Sequence, residues 1–229
     1  MKVVILAGGK GTRLAEETSS IPKPMVKIGS QPIILHIVNI YRKYGFNDFY
    51  IAGGYKYKII EKFFKNKKIN LKVIDTGKET QTGGRLLKLK KFLKEGSFLL
   101  TYGDGLSSVN IKKLVNFHNK NKKKVTMTVV RPPGRWGFVK IVGKTVKIFQ
   151  EKNKNNEGWI NGGFMVINSV IFKKYKLKNN TIFEKEILPN LAKNKQLAAF
   201  KHYGFWQCMD NLREKILLNQ LSKKNAPWK

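Results

Sequence analysis

Val3-Val4-Ile5-Leu6 is continuously apolar and largely β-branched, the pattern of a strand covered on both faces. Further on, Ile33, Ile37, Ile40 and Tyr44 recur at helical spacing, and Gly45 stops that helix. The pattern then predicts a strand over 48–52, a helix over 56–64, a strand over 71–74, a helix over 82–93 through Leu86, Leu89 and Leu93, and a strand over 97–101. Strands alternating with helices imply a Rossmann-like α/β fold, a mostly parallel central sheet with helices on both faces. Past residue 108 the rhythm changes. A helix is predicted over 111–119, a strand over 125–130, a hairpin of 138–142 with 146–149 around Gly143, and a strand over 161–167. A helix over 182–191, a strand over 197–201 and a helix over 211–221 complete the chain.

The first strand runs into Ala7-Gly8-Gly9-Lys10-Gly11-Thr12-Arg13, with Pro22-Lys23-Pro24-Met25 shortly after. Without Cβ atoms, three glycines in four positions let main-chain N–H groups approach a base or a phosphate, and Arg13 and Lys23 add positive charge. No Gly-Lys-Ser/Thr closes the loop, so it is not a P-loop, and its glycines miss the G-x-G-x-x-G spacing of dinucleotide sites. A tight turn is the plainer alternative.

Composition narrows the class. With 229 residues the chain suits one domain with a real core, and a single cysteine, Cys208, fits a reducing compartment. The apolar start gives out at Gly8, too soon for a secretory h-region. The longest apolar-rich window, 32–44, contains His36, Asn39, Arg42 and Lys43, so no membrane insertion is expected and a cytoplasmic location is. The net charge of +32 invites a nucleic-acid reading. However, only six of the 46 basic residues are arginine, and the lysines are spread over many segments without a groove-reading motif. No specific nucleic-acid partner is expected; the charge draws anionic substrates inward.

In an open parallel sheet, ligands collect beyond the carboxyl ends of the strands. Thr82-Gly83-Gly84-Arg85 follows the third strand and opens a helix whose N-terminus favours an anion or a carbonyl-rich base edge. Tyr102-Gly103-Asp104-Gly105 ends the fourth. A carboxylate there suits Mg²⁺, which takes one or two carboxylates and keeps several waters. Asp210 is the candidate second ligand; the plainer reading is an N-cap of the last helix, and capping does not exclude metal binding. Glu151-Lys152 and Trp159-Ile160-Asn161-Gly162-Gly163 mark an acceptor side, with Trp206 and Trp159 available to stack on a ring. His36, His118 and His202 have no metal-ligand spacing and read as structural.

Together, the segments 6–14, 22–25, 82–86, 101–105, 149–152, 160–164 and 204–210 resemble the sugar-1-phosphate nucleotidylyltransferases, in their cytidylyl-transferring branch, over essentially the whole chain. That resemblance implies Mg²⁺-dependent transfer of a nucleotidyl group from CTP to a sugar 1-phosphate, glucose 1-phosphate in the first place. Pyrophosphate leaves and a CDP-sugar forms for surface polysaccharide synthesis. The alternatives are dTTP or UTP, another phosphorylated acceptor or, more distantly, a nonenzymatic polyanion binder. It implies one domain over 1–229, with a nucleotide-binding half (1–108) and an acceptor-binding half (109–229). Arg13 and Lys23 would be catalytic. Leu6, Ala7, Gly8, Gly9, Gly11, Thr12, Arg13, Lys23, Thr82, Gly83, Gly84, Arg85 and Gly103 would hold the nucleotide. Tyr102, Glu151, Lys152, Asn161, Gly162, Gly163 and Trp206 would hold the acceptor, and Asp104 and Asp210 the metal. Glucose-specific relatives carry an insert of a few dozen residues where this chain has only 65–70, which leaves the acceptor and a homo-oligomeric state open.

Overall fold

The computed structural model describes residues 1–132, 138–150 and 158–229. Seven strands form one sheet in the order Leu197–His202, Val125–Val130, Ile160–Asn168, Ser97–Tyr102, Val3–Ala7, Phe49–Gly53, Leu71–Asp75. Only Ile160–Asn168 runs antiparallel to its neighbours; the other pairings are parallel. The mostly parallel α/β sheet expected from the sequence is therefore present.

The first strand shows why its apolar run is unbroken. Val3, Ile5 and Ala7 face a core shared with the helix Ile33–Lys43, whereas Val4 and Leu6 face a second core shared with the helix Thr82–Leu89. Alternate side chains of a strand point to opposite faces, so covering both faces requires apolar residues at every position.

Several elements end differently from the pattern. The helix predicted over 82–93 changes to a tighter turn at Lys90–Phe92, and that predicted over 182–191 is a π-turn at Phe183–Ile187 followed by the helix Leu188–Lys193. The last helix is Leu212–Lys224; Asn211 caps it, its side chain accepting from Glu214 N–H. The hairpin pairs Phe138–Val142 with Thr145–Gln150. No helix among the described residues is long and apolar enough to cross a membrane.

One pairing that the pattern does not show positions the site. Gly105–Ser107 pairs antiparallel with Trp206–Cys208, placing Gly105 opposite Cys208, and Met209 N–H donates to Asp104 O at 2.9 Å. Asp104 and Asp210, far apart in sequence, thereby flank one short ladder.

Candidate active site

Beyond the carboxyl ends of the strands Val3–Ala7 and Ser97–Tyr102 lies a cavity of about 510 Å³. The residues singled out from the sequence line it, apart from five; one is Trp159, whose ring instead meets Tyr203 edge-on with Arg131 and Lys201 over it, so of the two tryptophans only Trp206 is placed to stack on a ligand. Glu151 and Lys152 fall outside the described residues. Gly83 and Gly84 are absent from the wall.

Those two glycines require a correction. A Cβ on Gly83 would sit 2.9 Å from Thr181 O, and one on Gly84 2.3 Å from Asn179 O, so they are bare because the 179–181 segment presses on this helix. Gly83 N–H donates to Thr181 O, and Gln81 N–H to Asn179 O, both at 2.9 Å. The N–H of Gly83 is already engaged by the protein and does not offer the anion site expected from the sequence.

Arg85 also differs from expectation. Its side chain is buried, and Nη1 and Nη2 donate to the carbonyls of Gly8 and Gly53 at 3.0 Å and of Gly77 at 2.9 Å, and to Thr76 Oγ1 at 2.5 Å. A guanidinium presents a planar fork of donors, suited to gathering carbonyls from several loops. Gly8 and Gly54 lie against it, where a Cβ would come within 2.0 and 2.5 Å of Nη1. Arg85 thus fastens the glycine loop from beneath. Burial lowers its affinity for a proton from the ordinary arginine value, while the charge of Asp75 opposes that effect.

The opposite end of the cavity is built from charged side chains. Lys23 Nζ donates to Asp104 Oδ2 at 2.5 Å and to Asp210 Oδ1 at 2.7 Å, and Arg13 Nη1 lies 3.0 Å from Asp210 Oδ2. Burial alone would lower the Lys23 pKa, but the two carboxylates outweigh it and hold the ammonium above its ordinary value. Arg13 is 75% exposed, and an exposed pair of this kind is weak. Glu214 Oε2 accepts from Asp210 N–H at 2.6 Å, so this turn serves as a helix cap while aiming the Asp210 carboxylate at Lys23. Two carboxylates already converging on one cation are a hard-oxygen donor set that fits Mg²⁺.

At a third point on the wall, Trp206 Nε1 donates to Gly162 O at 2.8 Å, and Gly163 N–H to Asn161 Oδ1 at 2.9 Å. Gly163 has φ +82, and a Cβ there would meet the Tyr102 ring at 2.7 Å. Glycine is required on both grounds. Thr101, Phe164 and Cys208, which lie within the segments singled out but were given no role, also line the cavity, as do Thr80 and Gln81, which lie outside every such segment. Burial first, then the charges of Glu214 and Asp210, push the Cys208 thiol up to about 12. Such a thiol is a poor nucleophile at neutral pH.

A cationic rim around paired carboxylates, next to a main-chain loop at strand ends, suits group transfer between phosphate esters, where catalysis is chiefly positioning and charge neutralisation. The comparisons with known proteins specify the kind of transfer. Residues 2–210 match the family model described as nucleotidyl transferase, and the chain belongs to that family. It is 42% identical over 255 aligned positions to the glucose-1-phosphate cytidylyltransferase of Salmonella typhi, covering 100% of this chain and 99% of the relative. It is 31% identical to the D-glycero-alpha-D-manno-heptose 1-phosphate guanylyltransferase of Aneurinibacillus thermoaerophilus, over 90% of this chain and 89% of the relative. The fold matches that of UDP-glucose pyrophosphorylase complexed with UDP-glucose, with a TM-score of 0.75, 18% identity and coverage of 97% and 98%.

Proposed function

We propose that this protein transfers a cytidylyl group from CTP to glucose 1-phosphate in a Mg²⁺-dependent reaction, releasing pyrophosphate and forming CDP-glucose. The observation that carries the reading is Lys23 seated between Asp104 and Asp210, with Arg13 beside them at the mouth of the cavity. The choice of CTP and glucose rests on the 42% identity to the Salmonella typhi enzyme over the whole chain.

In this reading, the loop 7–13 receives the nucleotide on its main chain, held in shape by Arg85. Asp104 and Asp210 would hold Mg²⁺, which when bound would supply positive charge to the phosphates. Lys23 contacts the α-phosphoryl group with its ammonium. Arg13, weakly held, turns to the departing pyrophosphate. The sugar phosphate lies along Tyr102, Asn161, Gly162, Gly163 and Trp206, with Lys152 and Glu151 assigned to its phosphate and hydroxyls. Its phosphate oxygen attacks the α-phosphorus in line as the bond to pyrophosphate breaks, so the residues orient and neutralise without a covalent intermediate. Location in the cytoplasm and self-association belong to the same reading.

The test is to incubate the purified protein with Mg²⁺, each nucleoside triphosphate and a panel of sugar phosphates, measuring pyrophosphate and nucleotide-sugar. The expected result is turnover greatest with CTP and glucose 1-phosphate and abolished by EDTA. No turnover with any pair would end the proposal.

A further inference from the structure

Glu184 is the second residue of the π-turn Phe183–Ile187, which packs near the start of the helix Thr82–Leu89. Its carboxylate accepts two hydroxyl hydrogen bonds: Tyr102 Oη donates to Oε1 at 2.6 Å and Thr82 Oγ1 to Oε2 at 2.5 Å. Both donors line the cavity, whereas Glu184 itself stands behind its wall. The close approach that Gly83 and Gly84 allow to 179–181 brings the carboxylate within reach.

The bonds form a chain with one polarity. An ionised carboxylate only accepts, so the protons of both hydroxyls point at Glu184. Thr82 Oγ1 accepts in turn from Phe183 N–H at 2.9 Å. The Tyr102 oxygen keeps its lone pairs for Asn161, whose Nδ2 donates to it at 3.3 Å. Asn161 Oδ1 is taken by Gly163 N–H at 2.9 Å, which fixes the amide the same way round.

We infer that Glu184 is the positioning residue of the acceptor site, turning the Tyr102 phenol oxygen into an acceptor and the Asn161 amide into a donor toward the hydroxyls of the sugar 1-phosphate. The inference rests on the acceptor reading given under Proposed function. Replacing Glu184 by glutamine keeps shape and volume but reverses one bond. The amide oxygen continues to accept from Thr82, and the amide nitrogen donates to the Tyr102 oxygen. The phenol proton is then driven toward Asn161 Nδ2, donor against donor, and the wall loses its order.

Steady-state kinetics with CTP and glucose 1-phosphate tests this in the full-length enzyme. Glu184→Gln is expected to raise KM for glucose 1-phosphate about tenfold, the effect of one charge-assisted hydrogen bond. KM for CTP should stay within about twofold, since the loop 7–13 and Arg85 are untouched. Tyr102→Phe should raise the same KM, and the double variant should be no worse than the poorer single one, because both act through one chain of bonds. Unchanged kinetics in Glu184→Gln would overturn the inference, as would equal rises in both KM values together with a lower unfolding temperature. A wild-type enzyme with no turnover would overturn the acceptor reading and this inference together; an active wild type with an indifferent Glu184→Gln removes only the inference.

Discussion

The two ends of the cavity are built by opposite means. At the loop end, the wall is mostly main chain, and Arg85, the charged side chain that lines it, is buried and bonded to the carbonyls of Gly8, Gly53 and Gly77. At the rim, the wall is side chains: Asp104, Asp210, Lys23 and Arg13 neutralise one another, and Arg13 remains largely in solvent. A guanidinium committed to carbonyls holds shape, because it ties the loops of Gly8, Gly53 and Gly77 to one buried group. Mutually neutralising side chains at a cavity mouth instead exchange partners as ligand charge arrives. Loss at the loop end should appear first as instability, and loss at the rim as lost turnover.

The largest expected effect is at the rim. Lys23→Ala should lower the rate of pyrophosphate release by about 10²–10³, the range for removing one preorganised transition-state contact. Its unfolding free energy should fall by less than that of Arg85→Ala, about 1–2 kcal/mol, since Lys23 is only 12% exposed but the carboxylates it leaves are 23–27% exposed and can hydrate. Both quantities can be read on one preparation by a coupled pyrophosphate assay and urea titration. Equal losses in both would dissolve the contrast between the two ends.

Arg85→Ala should show the reverse, costing about 3 kcal/mol in urea unfolding because a buried side chain and the hydrogen bonds that tie three loops to it are lost together. Arg85→Lys should recover only part of that, since an ammonium lacks the planar fork. An Arg85→Ala protein of unchanged stability but lost nucleotide affinity would make Arg85 a ligand contact after all.

These contrasts also show what the chain reveals before it folds. The parallel rhythm of the first half was legible because strands covered on both faces are apolar at every position, as in Val3–Ala7. The pairing of Gly105–Ser107 with Trp206–Cys208 was not, because three residues carry no periodicity, yet it is what unites Asp104 and Asp210. Gly83-Gly84-Arg85 resembled a ligand loop because bare backbone beside an arginine looks the same whether it meets a phosphate or another segment of the protein. Its actual neighbours, 179–181 and the carbonyl of Gly8, arrive only with tertiary structure. Glu184 lies in Phe183-Glu184-Lys185-Glu186, where nothing separates it from a surface carboxylate until the π-turn directs it at Tyr102 and Thr82.

The smallest expected effect lies away from both ends. His36 and His118 are buried, and burial lowers both pKa values; Ile28 O accepts from the neutral His36 ring, and His118 Nδ1 bonds Thr126. Because the unfolded chain binds these protons more readily, stability should fall as pH drops below about 6.5, by on the order of 1 kcal/mol. Urea titrations between pH 5 and pH 7.5 would detect it, and His36→Gln with His118→Gln should flatten the slope. Equal slopes in wild type and double variant would take the acid sensitivity away from His36 and His118, leaving His202, whose pKa burial also lowers.

The most direct measurement is pyrophosphate release by Asp104→Asn at saturating Mg²⁺, CTP and glucose 1-phosphate, with urea unfolding of the same preparation. The substitution keeps the side chain's size and removes one negative charge from the pair that holds Lys23 and fits the metal. Turnover is expected to fall at least about a hundredfold while the unfolding midpoint stays near that of the wild type. Turnover undiminished in Asp104→Asn would contradict the assignment of the carboxylate pair to catalysis.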